Sequence, residues 1–211
     1  MIISDISSFK GSMMCVELCG GGLTQDMKIY IHRDIIAANG ISRGMEISEE
    51  GADELIRQND LRRARERALY LMESRDHSYK ELFGKLEKNY SEDICFEVCS
   101  RLAEIGVIND RRYAEKLCRQ LFENKKLGRY RVKQEMRLRG LSAEVISEAM
   151  EEFAEEDDSF ERLELLVEQK YERYLVDRKG VVKVKNALAR KGYSYDEINA
   201  VLDLYDLDFD E

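Results

Sequence analysis

Arg129-Tyr130-Arg131-Val132-Lys133-Gln134-Glu135-Met136-Arg137-Leu138-Arg139-Gly140-Leu141-Ser142 reads as a short helix, a stop and a new start. Val132 and Met136 are four residues apart, so they share one apolar face. Gly140 takes the left-handed conformation that closes a helix at little cost. Ser142 supplies a hydroxyl to cap the next helix, in which Val145, Ile146, Ala149 and Met150 recur at helical spacing. The same pattern returns downstream, where Val184 and Leu188 lead through Gly192-Tyr193-Ser194 into Ile198, Val201 and Leu202. Upstream, Leu82 and Leu86 lead through Asn89-Tyr90-Ser91 into Ile94, Cys95, Val98 and Cys99. Leu86, Met136 and Leu188 fall at intervals of 50 and 52, and the first copy has one residue fewer in its turn. Three copies make a repeat protein.

A further helix precedes each pair, over 61–73, 111–123 and 160–175. Leu61, Ala64, Ala68, Leu69 and Met72 stripe the first. Tyr113, Leu117 and Leu121 stripe the second, and Leu163, Leu166, Val167 and Tyr174 the third. Ser78-Tyr79-Lys80-Glu81 and Ser194-Tyr195-Asp196-Glu197 are capping boxes, and His77 sits in the turn before the first of them. The expected fold is mainly α: three tandem three-helix repeats over 61–108, 109–156 and 157–211, the last with an acidic tail. Small three-helix units bury too little alone, so stacking into an elongated, curved body is expected.

Residues 1–60 read differently. Met13–Cys19 and Met27–Ile31 are apolar segments around Gly20-Gly21-Gly22. Lys28, Tyr30 and His32 alternate with Ile29 and Ile31, the period of a half-buried strand. A small β-hairpin or three-strand element is therefore expected. The glycine run lacks the Lys-Ser/Thr and following helix of a phosphate-binding loop. A short helix should end at Gly40, and another should open at Ser48 and run towards Arg57.

The chain has no proline, where about ten would be average, which permits helix throughout. No apolar run approaches the ~20 residues of a membrane span, and MIISDISSFK is no secretory signal. Cys15, Cys19, Cys95, Cys99 and Cys118 form no CxxC pair and have only His32 and His77 beside them, so zinc ligation is not indicated. Reduced thiols point to the cytoplasm. Neither a cofactor nor a catalytic constellation emerges. Cys95 and Cys99 fall on an apolar helix face, and the carboxylates of 144–168 belong to a solvated charge run.

Net charge is −9, yet charge is blocked along the chain. Residues 111–139 hold eleven Lys/Arg against three Glu, and 144–168 hold eleven acids against Arg162 alone. Residues 170–191 hold eight bases against two acids, and 196–211 hold seven acids and no base. Alternating blocks offer basic ridges to a polyanion or an acidic partner.

Several of these motifs resemble the RecX family. Ala68-Leu69-Tyr70-Leu71 and Ser74-Arg75-Asp76-His77-Ser78 with Glu81-Leu82 are the first block. Gly106-Val107-Ile108-Asn109-Asp110-Arg111-Arg112-Tyr113-Ala114 is similar to the family's linker between repeats, with Asn109 in place of an acidic residue. Lys126–Met136 with Arg139-Gly140-Leu141-Ser142 follows, lacking the proline usual after its glycine, and Lys191–Ile198 is the last block. The resemblance implies a non-enzymatic regulator of the RecA recombinase, and a monomer is expected. Such proteins lie in the groove of the RecA filament on single-stranded DNA and damp its extension, ATP hydrolysis, strand exchange and the SOS response. The binding residues would be Arg129, Arg131, Lys133, Arg137 and Arg139, with Lys183, Lys185, Arg190 and Lys191. The residues themselves leave three readings of these stretches open: a solvated helix face, a contact to DNA in the filament, and a contact to protein. A helical-repeat protein binding nucleic acid directly, without RecA specificity, remains the competing function. Tyr130 and Tyr193 are the only aromatics interleaved there, so single-strand stacking has thin support from sequence.

Overall fold

The computed structural model describes residues 1–20, 27–156 and 159–205. The Gly20–Gly22 turn from Gly21 on, and the acidic tail from Asp206 on, lie outside the described residues. Strands β1 (Ile2–Lys10), β2 (Met13–Cys19) and β3 (Met27–His32) form one antiparallel sheet in the order β1-β2-β3. The expected alternation holds: Ile29 and Ile31 are buried while Lys28 and Tyr30 are exposed. Ile3, Val16 and Leu18 join them over α1 (Arg33–Ala38) and the start of α2 (Glu49–Ser74).

That long helix departs from the sequence reading, which separates a helix opening at Ser48 from one starting at Leu61. The two are one 26-residue helix. Ser48 caps it through Gly51 N–H at 3.0 Å, and no glycine or proline between Arg57 and Leu61 interrupts it. Asn59, a residue that would usually mark a break, is instead buried and accepts a hydrogen bond from His32 N–H at 2.9 Å. A tertiary contact overrides the local preference.

The helices then follow in threes: α3 (Tyr79–Leu86) and α4 (Glu92–Glu104) complete a unit with α2, and α5 (Asp110–Arg119), α6 (Arg129–Leu138) and α7 (Ala143–Glu156) make a second. The third comprises α8 (Ser159–Lys170), α9 (Arg178–Lys191) and α10 (Tyr195–Leu202). A π-helical turn, Gln120–Asn124, extends α5, and a 3-10 turn, Glu172–Tyr174, follows α8. The fold is mainly α, with a three-stranded sheet at the N-terminal side. By compactness the chain divides into two units, Met1–Arg75 with Leu82–Glu104, and Asp76–Glu81 with the chain from Ile105 onward.

Each triplet in the second unit has its own core. Tyr113, Leu117, Val132, Met136, Ile146 and Met150 fill one; Leu163, Leu166, Val184, Leu188, Ile198 and Val201 fill the other. These are the stripes named above, so the helical period places them. Both capping boxes form. Glu81 N–H donates to Ser78 Oγ at 3.1 Å while Glu81 Oε2 accepts from Ser78 N–H, and Ser194 with Glu197 does the same. His77, read as a turn residue near the surface, is buried at 2% exposure. The Asn109 substitution costs no cap, since its Oδ1 accepts from Arg112 N–H at 2.9 Å.

Candidate functional site

The site is built on α6, whose start is held by a joint between repeats. Gly128 N–H donates to the Lys191 carbonyl at 2.9 Å, and Tyr130 N–H donates to the Gly192 carbonyl at 3.2 Å. Lys191 Nζ in turn donates to the Lys125 carbonyl, and Tyr193 Oη to the Lys126 carbonyl at 3.2 Å. The first residues of a helix have no carbonyl within their own helix to bond, so the turn after α9 satisfies them. The same joint occurs one repeat earlier, where Ser78 Oγ donates to the Arg139 carbonyl and Gly140 packs against Lys80. No proline is needed at Arg129, because main-chain bonds from the next repeat fix the helix start.

Helix geometry then divides the basic stretch. Val132 and Met136 point into the core at 0% exposure. Arg129, Lys133 and Arg137, spaced by four, run along one flank and are exposed. Arg131 lies on the other flank, with Glu135 at 2.6 Å. Arg139 is drawn into a polar network: its guanidinium donates to Tyr113 Oη at 3.1 Å and lies 3.4 Å from Glu81 Oε1, while Tyr113 Oη donates to Glu81 Oε2 at 3.1 Å. Five neighbours in sequence thus become three surface cations and two engaged ones.

On α9 the outcome is similar. Lys183 and Arg190 are exposed, and Lys185 Nζ donates to Asn199 Oδ1 at 2.8 Å. Lys191 belongs to the joint, where burial, aided by the charge of Lys170, lowers its ammonium pKa below the ordinary lysine value. Lys179, which sequence reasoning left out, is exposed on the same helix. Its four-residue spacing from Lys183 was the available signal.

Arg129, Tyr130 and Lys133 form one wall of a cleft of about 370 Å³. Ser147, Met150 and Glu151 of α7, with Ser194 and Glu197 at the start of α10, line the rest. Ser147 Oγ donates to Glu151 at 2.9 Å, and Ser194 N–H and Oγ donate to Glu197 Oε2 at 2.7 and 2.8 Å. Tyr130 is 71% exposed, whereas Tyr193 is 4% exposed and committed to the joint. Beside this cleft Arg162, buried at 6%, lies over the Phe122 ring at 4.7 Å. Phe122 stacks on Phe153 at 4.6 Å, so the π-helical turn serves core packing there.

A hollow of about 590 Å³ in the first unit, with exposed Phe96, is bordered by Glu92, Asp93, Glu97 and Glu104 together with Arg57 and Arg101. Arg57 pairs with Glu97, and Arg101 with Glu104 at 2.9 Å, so among the described residues the unpaired charge there is that of Glu92 and Asp93. Burial pushes the Cys99 thiol up to about 12 and the Cys118 thiol to about 11, so neither is a nucleophile near neutral pH. Among the described residues no group of three or more His, Cys, Asp or Glu is placed to hold a metal ion, and no helix is long and apolar enough to cross a membrane.

Three-helix repeats docked through glycine turns, with a basic flank on the second, define a helical-repeat protein. Family models describe the three units: RecX first three-helix domain over 64–102, second over 109–150 and third over 156–202. Among relatives, "Regulatory protein RecX" of Clostridioides difficile (strain 630) is 30% identical over 185 residues, covering 87% of this chain and 86% of that protein. The protein of the same name from Trichlorobacter lovleyi is 31% identical over 140 residues, covering 64% and 91%. A crystal structure of regulatory protein RecX matches 96% of this chain and 98% of its own at a TM-score of 0.68 and 20% identity, which is a likeness of fold. The crystal structure of RecX from Lactobacillus salivarius matches 71% and 99%, with a TM-score of 0.62 and 26% identity. The chain belongs to the RecX family of regulatory proteins.

Proposed function

We propose that this protein binds the RecA filament on single-stranded DNA and inhibits its extension, ATPase and strand exchange, damping recombination and the SOS response. The observation that carries the reading is the exposed flank of Arg129, Lys133 and Arg137 on a chain of net charge −9. A protein coating free DNA by charge alone would need a large cationic excess, since each neutralised phosphate adds to affinity through counterion release. A confined basic flank on an acidic body favours phosphates already ordered in a protein groove, with only weak contact to free DNA. The hollow at Phe96, where an exposed ring lies among four acids and two arginines, adds a surface suited to protein rather than nucleic acid. The protein acts as a monomer in the cytoplasm, where its five unpaired thiols persist.

The test is steady-state ATP hydrolysis by RecA on single-stranded DNA. Substoichiometric protein lowers the rate, and the Arg129→Glu/Lys133→Glu/Arg137→Glu variant is a weaker inhibitor with an unchanged unfolding midpoint. No inhibition at equimolar protein, together with binding to bare DNA that shows no preference for the filament, would transfer the reading to a plain nucleic-acid binder.

A further inference from the structure

We propose that the cleft between α6, α7 and α10 holds one nucleotide of a single strand, its base stacked on Tyr130 and its phosphate on Arg129 and Lys133. The proposal deepens the function above and rests on it in placing that strand inside the filament.

The cleft's volume, about 370 Å³, lies in the ~300–1,000 Å³ range of small-ligand sites. One wall is helical, so its side chains are ordered by spacing: Lys133 is four residues from Arg129 and three from Tyr130, which makes it a surface neighbour of each. A large ring 71% exposed beside two cations is a stacking platform with phosphate ligands along one edge. Composition alone does not produce this, because Tyr193, the other aromatic of the basic stretches, is buried with its hydroxyl bonded to Lys126.

The opposite wall sets the selectivity. Glu151 and Glu197 balance Arg129 and Lys133, so the cleft is close to neutral and offers little to a dense polyanion. Both carboxylates are held by serine hydroxyls. A duplex hides its base faces in the stack, so only a splayed base of a single strand can use the ring. Two phosphate contacts would give a salt slope of roughly −1.4 for a single strand, shallow beside that of a charge-driven coat.

The experiment is fluorescence anisotropy of a short fluorescein-labelled DNA strand with the full chain, against the same sequence as duplex. Tyr130→Ala should weaken strand binding about 5- to 150-fold, the range that loss of one stacked base implies. Tyr130→Trp should retain it, and Tyr70→Ala, which alters an exposed tyrosine outside the cleft, should leave it unchanged. Circular dichroism should show the same helix content in all three. Equal strand affinity for Tyr130→Ala and wild type, or a duplex bound as tightly as the strand, overturns the proposal. So does absence of measurable strand binding by wild type. RecA ATPase is measured alongside: inhibition by wild type without Tyr130-dependent strand binding removes the cleft and keeps the regulator. Tyr130-dependent strand binding without inhibition does the reverse.

Discussion

Gly128 and Gly192 meet backbone to backbone: a Cβ on Gly128 would stand 2.3 Å from the carbonyl carbon of Gly192. Gly192 also has φ +93° and faces the Arg131 nitrogen at 2.4 Å from where its own Cβ would be. One glycine is there for space alone, since Gly128 has φ −78°, and the other for space and conformation. Gly128→Ala and Gly192→Ala should each lower unfolding free energy by about 1–3 kcal/mol or more, through overpacking at the joint. Gly84→Ala, in α3 with nothing near its Cβ, should gain about 0.5–1 kcal/mol. Urea unfolding of the three variants decides this, and equal effects would remove the joint as a structural element.

The Glu81–Tyr113–Arg139 network gives a second prediction, because it engages one expected contact residue within the fold. Arg139→Ala should cost about 1–3 kcal/mol, as a charge-assisted hydrogen bond is lost and the Glu81 carboxylate, 15% exposed, is left short of a partner. Lys133→Ala, on the exposed flank, should stay within ~0.5 kcal/mol. If filament inhibition depends on Arg139, the loss should track unfolding; with Lys133 it should not. A double-mutant cycle of Arg139→Ala with Tyr113→Phe measures the coupling. Simple additivity would mean the two side chains are independent.

The repeats were legible because their information is local. Val132 with Met136 and Val184 with Leu188 mark faces, Ser78 and Ser194 mark starts, and Gly140 and Gly192 mark stops, each readable within a few residues. What those glycines dock against was not legible, since Gly128 and Gly192 are 64 residues apart and nothing local names the partner. The first repeat's shorter turn, without glycine at 87–91, falls where no preceding repeat supplies a helix start to receive. The basic stretch was visible as charge, but charge counts carry no direction. Only the orientation of α6, fixed by Val132 and Met136, separates Arg129, Lys133 and Arg137 from Arg131 and Arg139. His77 and Asn59 are polar residues that propensity places at surfaces, and tertiary hydrogen bonding or burial takes them inside.

Asp110 supplies a pH dependence. Its Oδ1 accepts from Tyr79 N–H at 2.8 Å, yet burial, reinforced by Glu81, holds its carboxyl pKa above the ordinary aspartate value. An acid with a raised folded pKa stabilises the fold most below its unfolded pKa, and that contribution is lost as pH rises through the folded value. Asp110→Asn keeps an acceptor for Tyr79 without the buried charge. Its midpoint relative to wild type should therefore rise as pH increases from about 4 towards neutrality. Thermal unfolding across that range checks it, and a constant difference would mean the carboxyl is not penalised by burial.

Lys126 stores strain where the repeats join. At φ +49° it is the one non-glycine residue with positive φ among the described residues, a conformation that costs an L-residue roughly 1–2 kcal/mol. Its carbonyl accepts from Tyr193 Oη at 3.2 Å, and the neighbouring Lys125 carbonyl from Lys191 Nζ at 3.1 Å, so the turn is held by the next repeat. Lys126→Gly relieves the strain but gives the unfolded chain more freedom, leaving a net gain of up to ~1 kcal/mol. Tyr193→Phe removes the clamp, and the hydroxyl's bond with buried Arg162, while keeping the buried ring, and should cost about 1–3 kcal/mol. The two effects should not add: with Lys126→Gly in place, the turn no longer needs the hydroxyl to hold a strained residue. The double variant should then lose less on Tyr193→Phe than the wild-type background does. Chemical denaturation of the four proteins measures that difference, and strict additivity would show that the hydroxyl bond does not hold the strained turn.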